Sequence, residues 1–361
     1  MTWHGIYGHD DVVEQFRRAL KRGRLASSFL FVGPEGIGKR SFALKLAQAL
    51  LCQTRPEEMM DPCGQCPACV QVAASTHPDL ELVAKPEDKS FLPLELFIGD
   101  KEHRMRRGLC RNLALKPFMG GRRIAIVDDA DFFNAEGANS LLKTLEEPPP
   151  RSVLILIGTS PARQLPTIRS RCQLVRFRPL STDVVAQLLT QAGPLDDVAE
   201  ARRLAGYSEG SLQRAVDLAD PDLWGFRMQL YEQLAQPVLE SQRLSTAVVA
   251  FVDDAGREAS ARRGRMRLIV QFAVDFYRHL LRGLSGATAV QDADVRRSVE
   301  RAMENRPWDE PAASACLDRC LDASEQIDRN ANAATLLECW LDDLARITAT
   351  GPPPVRQAGR P

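Results

Sequence analysis

The chain has 361 residues, 44% of them apolar and 6% aromatic, which is too long for one ordinary domain and apolar enough for two or three real cores. Lys plus Arg and Asp plus Glu each total 47, so no overall charge drives it onto DNA or an anionic membrane; any nucleic-acid contact has to be local or made by a larger assembly. The opening Met1-Thr-Trp-His-Gly-Ile lacks the basic end and apolar run of a signal peptide. No stretch approaches the roughly 20 apolar residues of a membrane span, and a cytoplasmic protein with reduced thiols is expected.

From residue 1 to about 178, short apolar runs alternate with helical patterns, which predicts a parallel sheet with crossover helices. The expected strands are Phe29–Val32, Asp79–Val83, Ile124–Val127, Val153–Ile157 and Gln173–Phe177. Lys39–Leu51 and Glu136–Glu146 read as helices, the second stopped by Pro148-Pro149-Pro150. After Pro179 a small helical module of about forty residues follows, over 179–219. Ser181 caps its first helix, Asp197–Ala205 forms a second ending at Gly206, and Gly210–Ala215 opens a third. Residues 220–348 read as all helix with apolar positions at 3.6-type spacing. The end of the chain, 349–361, is rich in proline and glycine and is expected to be a disordered tail.

Gly33-Pro34-Glu35-Gly36-Ile37-Gly38-Lys39 sits between a strand and a helix, the setting a phosphate-binding P-loop requires. Its glycines let backbone N–H groups curl around phosphate oxygens, the helix N-terminus adds favourable partial charge, and Lys39 reaches the terminal phosphates. A P-loop continues with Ser or Thr to ligate Mg²⁺, but this one continues with Arg40 and has Ser41 one place late. One helical position turns a side chain by about 100°, so Ser41 is no substitute. Asp128, at the end of the third strand, suits a carboxylate that holds Mg²⁺. Asp129 is one methylene shorter than the Glu that would orient a water there; capping of the next helix is the alternative for the run Asp128–Asp131. Nucleotide binding is thus compatible with the loop, with ATP hydrolysis impaired.

Cys63-Gly-Gln-Cys66-Pro-Ala-Cys69, with Cys52 upstream, offers four thiolates for a structural, tetrahedral Zn²⁺ in a tight non-helical knuckle. A ferredoxin-type cluster would need a cysteine at 73, where Ala stands; a redox pair is the other alternative. Cys110, Cys172, Cys316, Cys320 and Cys339 read as small buried hydrophobes. The basic run Lys101–Arg107 reads as a solvated helix face, with a DNA-facing role as its alternative.

Together these pieces resemble the clamp-loader subunits of bacterial DNA polymerase III, an AAA+ family, and within them the delta-prime branch. The resemblance runs over about residues 4–180: Ile6-Tyr-Gly-His9, Gly23-Arg-Leu25, the P-loop, the four cysteines, Asn139-Ser-Leu-Leu-Lys-Thr-Leu-Glu-Glu-Pro-Pro149 and Leu165-Pro-Thr-Ile-Arg-Ser-Arg-Cys172. Arg329-Asn-Ala-Asn332 is a faint echo of the family's collar helices. The resemblance implies an AAA+ P-loop domain with a zinc-knuckle insertion at 52–69, a helical lid and an all-α collar. It implies that Arg171 acts as an arginine finger on a neighbouring subunit's ATP and that Thr159 lies at the sensor position. It also implies partners: gamma/tau- and delta-type subunits in a hetero-pentamer, the sliding clamp, and primer-template DNA through the assembly. Motor subunits of the family read Gly-Ser-x-Arg where this chain has Gly210-Ser-Leu-Gln213, with Arg214 one residue late. Arg40, Asp129 and Gln213 therefore favour a scaffold with little ATPase of its own. A motor subunit is the competing enzymatic reading. A zinc-ribbon module on DNA is disfavoured, since around Cys52–Cys69 the one basic residue is Arg55 against Glu57, Glu58 and Asp61.

Overall fold

The computed structural model describes residues 2–119, 121–191, 195–256, 258–286, 292–329 and 331–350. The chain divides at Asp217/Leu218 into two compact units. In the first, α1 (Asp10–Lys21), β1 (Ser28–Val32), α2 (Lys39–Leu51), α3 (Pro67–Ala73), β2 (Leu80–Val83), α4 (Glu95–Ile98), α5 (Leu109–Leu113), β3 (Arg123–Val127), α6 (Ala135–Glu146), β4 (Ser152–Gly158), α7 (Pro166–Arg169) and β5 (Gln173–Arg176) lead into α8 (Thr182–Gln191), α9 (Val198–Tyr207) and α10 (Leu212–Leu218). All five expected strands form one parallel sheet in the order β2-β3-β4-β1-β5. The α/β fold and the all-helical continuation read from the sequence are present.

Residues β1 and β4 are buried along their whole length, as central parallel strands covered on both faces must be. Alternation then sends successive β1 side chains to opposite layers. Phe29 and Phe31 meet Phe16 of α1, and Phe31 and Phe42 of α2 share a second aromatic contact with Phe177. Leu30 and Val32 face the other way, into a core with Ala125, Val127, Leu154, Leu156, Leu141 and Ile168. The carboxyl ends of β1, β3 and β4 consequently open at one edge, where open α/β sheets bind ligands.

Ser181 Oγ accepts from the Val184 N–H at 3.4 Å, so the expected cap is made, and Asp197, expected as the first residue of the second helix, caps it by accepting from Ala199 N–H at 2.8 Å. Gly206 does not end its helix; α9 runs on to Tyr207, because a glycine with ordinary helical angles costs only about 1 kcal/mol and is tolerated. Lys101–Arg107 is a series of bends and turns, not a helix. Asp100 explains this: its carboxylate accepts from the Glu102 and His103 N–H groups and from the His103 ring, an Asx-type turn that competes with helix.

The second unit consists of α11 (Pro221–Leu234), α12 (Ser241–Asp253), α13 (Ala259–Leu284), α14 (Ala293–Asn305), α15 (Glu310–Asp328) and α16 (Ala333–Thr350), with no strand among its described residues. The long α13 is its axis, packed on α11, α12, α14 and α15. Arg227 is buried between Trp224, Tyr231 and Phe272 and ion-pairs with Asp292, which also caps α14. Helix α16 takes the first two positions of the expected tail, and 351–361 lie outside the described residues, as does Asn330 of the Arg329–Asn332 run. Cys110, Cys316 and Cys320 are buried as expected and Cys172 half-buried, but Cys339 is exposed: it falls on the outer side of α16, which buries Leu336, Trp340 and Leu344. No helix among the described residues is long and apolar enough to cross a membrane.

Candidate nucleotide cleft and cysteine centre

The loop after β1 is shaped by its glycines at two places. Gly38 adopts φ +95° and turns the chain into α2. Gly36 (φ +71°) lies so close to Ser211 and Gln213 that any Cβ would collide with them, and its carbonyl accepts from Leu212 N–H at 3.0 Å. The loop is therefore roofed by the start of α10. Residues Gly36–Ser41, Glu35, Asp128, Gly5, Ile6, Tyr7, His9, Leu188, Leu212, Gln213 and Val216 surround a cleft of about 460 Å³, polar at the loop end and apolar at the other.

Every group expected at the loop end is there, yet several are already occupied. Lys39 Nζ donates to the Gly33 and Pro34 carbonyls at 2.6 and 2.5 Å, and burial pulls its pKa down against the fields of Glu35, Asp128 and Asp131. Arg40 Nε stands 3.5 Å from Asp128 Oδ2. Asp128 is raised from the usual carboxylate range by burial and by Asp129 beside it, while the Asp129 N–H, Arg40 and Lys39 act to lower it. Asp129 adopts a left-handed backbone, φ +57°, and its carboxylate accepts from the Lys85 N–H at 3.3 Å, away from the loop. Gln213 donates to Asp217 at 3.0 Å, and Arg214 pairs with Glu209 at 3.6 Å.

Thr159 is held by Asp131, whose Oδ2 accepts from both the Thr159 N–H (2.8 Å) and its hydroxyl (2.5 Å), while Gln164 donates to Oδ1. Sequence reasoning did not find this buried hub, because its donors lie 28 and 33 residues away. His9 was likewise missed as a loop partner: its Nε2 lies 2.8 Å from the Ile37 carbonyl, and its ring packs edge-on against Phe177.

At the far end of α2, the Sγ atoms of Cys52, Cys63, Cys66 and Cys69 all lie within 4.8 Å of one another, with Cys63 and Cys69 3.8 Å apart. Tetrahedral bonds of ~2.3 Å to one zinc ion put sulfurs about 3.8 Å apart, so the donor set fits. The half around Cys66–Cys69 is not the non-helical knuckle expected. Cys66 caps α3, Pro67 opens it, and the Cys69 N–H points at the Cys66 sulfur at 3.4 Å. Proline at a first helical position favours this. The Cys66 N–H similarly faces Cys63 Sγ at 3.3 Å. Hydrogen bonds from Thr54 and from the Gln65 and Cys66 backbone draw Cys63 down to about 5. At Cys52 burial acts to raise the pKa, but hydrogen bonds from Thr54 and nearby backbone outweigh it. Cys69 is pushed up, chiefly by burial. Arg55 is tied to Asp61, which His4 also contacts at 2.7 Å, and Trp3 Nε1 donates to the Met60 carbonyl at 2.6 Å.

Arg171 lies apart from both sites, in the turn from α7 to β5. Its Nε and Nη2 donate to Glu146 Oε1 at 2.9 and 2.6 Å, and Nη1 to the Thr167 carbonyl and Ser170 hydroxyl at 3.1 and 3.2 Å. Its side chain is 33% exposed. Cys172 turns inward beside the core, where burial lifts its thiol to about 12. Arg176 is exposed, and the Arg169 side chain donates to the Pro161 carbonyl at 3.5 Å.

Sheet order, loop and flanking acids define a P-loop domain of the AAA+ type carrying a cysteine-rich insertion. Residues 8–181 match the family described as DNA polymerase III, delta subunit. The chain is 41% identical over 215 residues to DNA polymerase III subunit delta' of Pseudomonas aeruginosa, covering 58% of this chain and 61% of that one. To the subunit delta' of Bacillus subtilis it is 30% identical over 229 residues, covering 62% and 64%. DNA polymerase III subunit tau of Escherichia coli is 29% identical over 269 residues, 72% of this chain and 39% of that one. The matched part thus spans less than two thirds of the length of these relatives.

Proposed function

We propose that the chain is a delta-prime-type clamp-loader subunit: a scaffold with little ATP hydrolysis of its own that gives Arg171 to a neighbour's ATP. The observation that carries this is the Arg40–Asp128 pair, which puts a guanidinium where a hydrolysing P-loop keeps its metal ion. Asp129, turned to Lys85, and Gln213, turned to Asp217, remove two further groups from the γ-phosphate position. Two delta' relatives at 41% and 30% identity support the same branch.

In this reading 1–178 is the P-loop domain, 179–219 its lid and 220–348 a collar for assembly. The partners are gamma/tau- and delta-type subunits in a hetero-pentamer, and through it the sliding clamp and primed DNA, in the cytoplasm. Zinc on the four cysteines would supply structure only, since all four positions are filled by sulfur. Arg171 is suited to its task. Thr167 and Ser170 set its direction, while the exposed Glu146 pair is worth at most about 1 kcal/mol and yields to a polyphosphate.

Arg171→Ala in a reconstituted loader should lower clamp- and DNA-stimulated ATPase by ~10-fold or more, arginine fingers elsewhere being worth ~10³–10⁵ at the site they serve, with assembly unchanged by gel filtration. Unaltered turnover removes the role from Arg171. Robust ATPase by the isolated chain establishes the motor reading instead.

A further inference from the structure

A magnesium-bearing P-loop needs a hydroxyl after its lysine and a free carboxylate opposite. Mg²⁺ demands near-octahedral oxygen ligands at ~2.0–2.1 Å and keeps several waters. The residues here do not fit it. Arg40 occupies the hydroxyl position, and its Nε lies 3.5 Å from Oδ2 of Asp128, the carboxylate that would hold the ion. Guanidinium and dication compete for that carboxylate, because two like charges within a few ångströms repel.

The phosphate-binding parts are otherwise complete. The loop backbone ends in the N-terminus of a thirteen-residue helix, Lys39 lies inside the loop, and the cleft of about 460 Å³ falls within the usual range of ligand pockets. Ile6, Tyr7, Leu188, Leu212 and Val216 line its apolar side, which suits the faces of a base. Arg40 also lines the cleft and is 59% exposed, so it can turn from Asp128 to a phosphate. Charge-assisted contacts of that kind are among the stronger hydrogen bonds.

We propose that this cleft binds a nucleoside di- or triphosphate without a divalent cation, Arg40 taking the place of the ion. The inference rests on reading the loop as a nucleotide site. It involves no covalent step: the nucleotide is a bound ligand of the scaffold and is not turned over.

The test is calorimetric titration of the full chain with ADP and ATP, once in magnesium and once in EDTA. The two affinities should agree within about threefold. Arg40→Thr, which restores a hydroxyl and removes the charge, should weaken binding in EDTA by ~10-fold or more and recover it when magnesium is added. Arg40→Gln takes its place if the threonine variant fails to fold by thermal melting; it should show the same loss in EDTA. Absence of binding by the parent chain, binding that EDTA abolishes, or a variant that binds like the parent in EDTA each overturns the proposal. None of these outcomes alters the effect expected of Arg171→Ala in the loader, so failure here is distinguishable from failure of the proposed function.

Discussion

Helix α2 carries a site at each end, and the two differ in where their positive charge comes from. At its N-terminus the phosphate loop already holds cations of the chain itself: Lys39 on the Gly33 and Pro34 carbonyls and Arg40 on Asp128. At its C-terminus Cys52 joins three other sulfurs within 4.8 Å, and Arg55, the one basic residue between Cys52 and Cys69, is taken up by Asp61. Sulfurs brought that close suit a shared cation once their protons leave. A motif's glycines and a motif's charges are thus separable. The cleft keeps the backbone of a nucleotide site and changes its ionic content, whereas the cysteine centre offers four sulfurs close enough together to hold an ion from outside.

That contrast can be broken most severely at the cysteines. Cys66→Ser should abolish stoichiometric zinc in elemental mass analysis and speed hydrogen exchange across 52–73, since a structural ion supplies much of the folding energy of so small a loop. Metal-free protein with unchanged exchange would show the sulfurs to be merely packed. Next in size is the hub beneath the cleft. Asp131→Ala leaves the donors of Thr159 and Gln164 buried without their acceptor, and should cost about 2–4 kcal/mol in denaturant melts. A loss below ~0.5 kcal/mol would mean that water replaces the carboxylate.

Third is the pH dependence of zinc uptake. Cys63, at about 5, is a thiolate at neutral pH, while Cys69, pushed up by burial, keeps its proton. Zinc must expel that proton, so affinity should rise about tenfold per pH unit for each proton released. Competition with a chelator between pH 6 and 8, with proton release followed by an indicator, measures it; a flat profile contradicts the assignment. Smallest is the cleft's own pair: Arg40→Ala should change stability by under ~1 kcal/mol, because Arg40 is more than half exposed. A larger loss would make Arg40 structural and blunt the contrast between the two ends.

The five strands were legible because each is a short apolar run bounded by turn residues, and β1 and β4 are buried on both faces. The phosphate loop and the four cysteines were legible because their members are near neighbours in sequence. Lys101–Arg107 was misread because its charge pattern suits a helix, while a single side chain, Asp100, hydrogen-bonds the backbone into turns. The helical half of the cysteine centre was misread for a related reason. Gly64 and Pro67 between the ligands suggested a knuckle throughout, whereas Pro67 starts a helix that Cys66 caps. The Asp131 hub and the partners of Arg171 carry no local signal, since Glu146 is 25 residues from the arginine it holds.

Sequence by itself determined the fold class, the place of the phosphate loop, the set of four sulfurs and the three substitutions at Arg40, Asp129 and Gln213. These follow from residue type and short-range spacing, which act through neighbours along the chain. Only the tertiary structure decided where the substituted groups go: Arg40 to Asp128, Asp129 to Lys85, Gln213 to Asp217, and Arg171 to Glu146. A charged side chain takes the partner that folding brings within a few ångströms, and in three of those four pairs that partner lies 25 or more residues away.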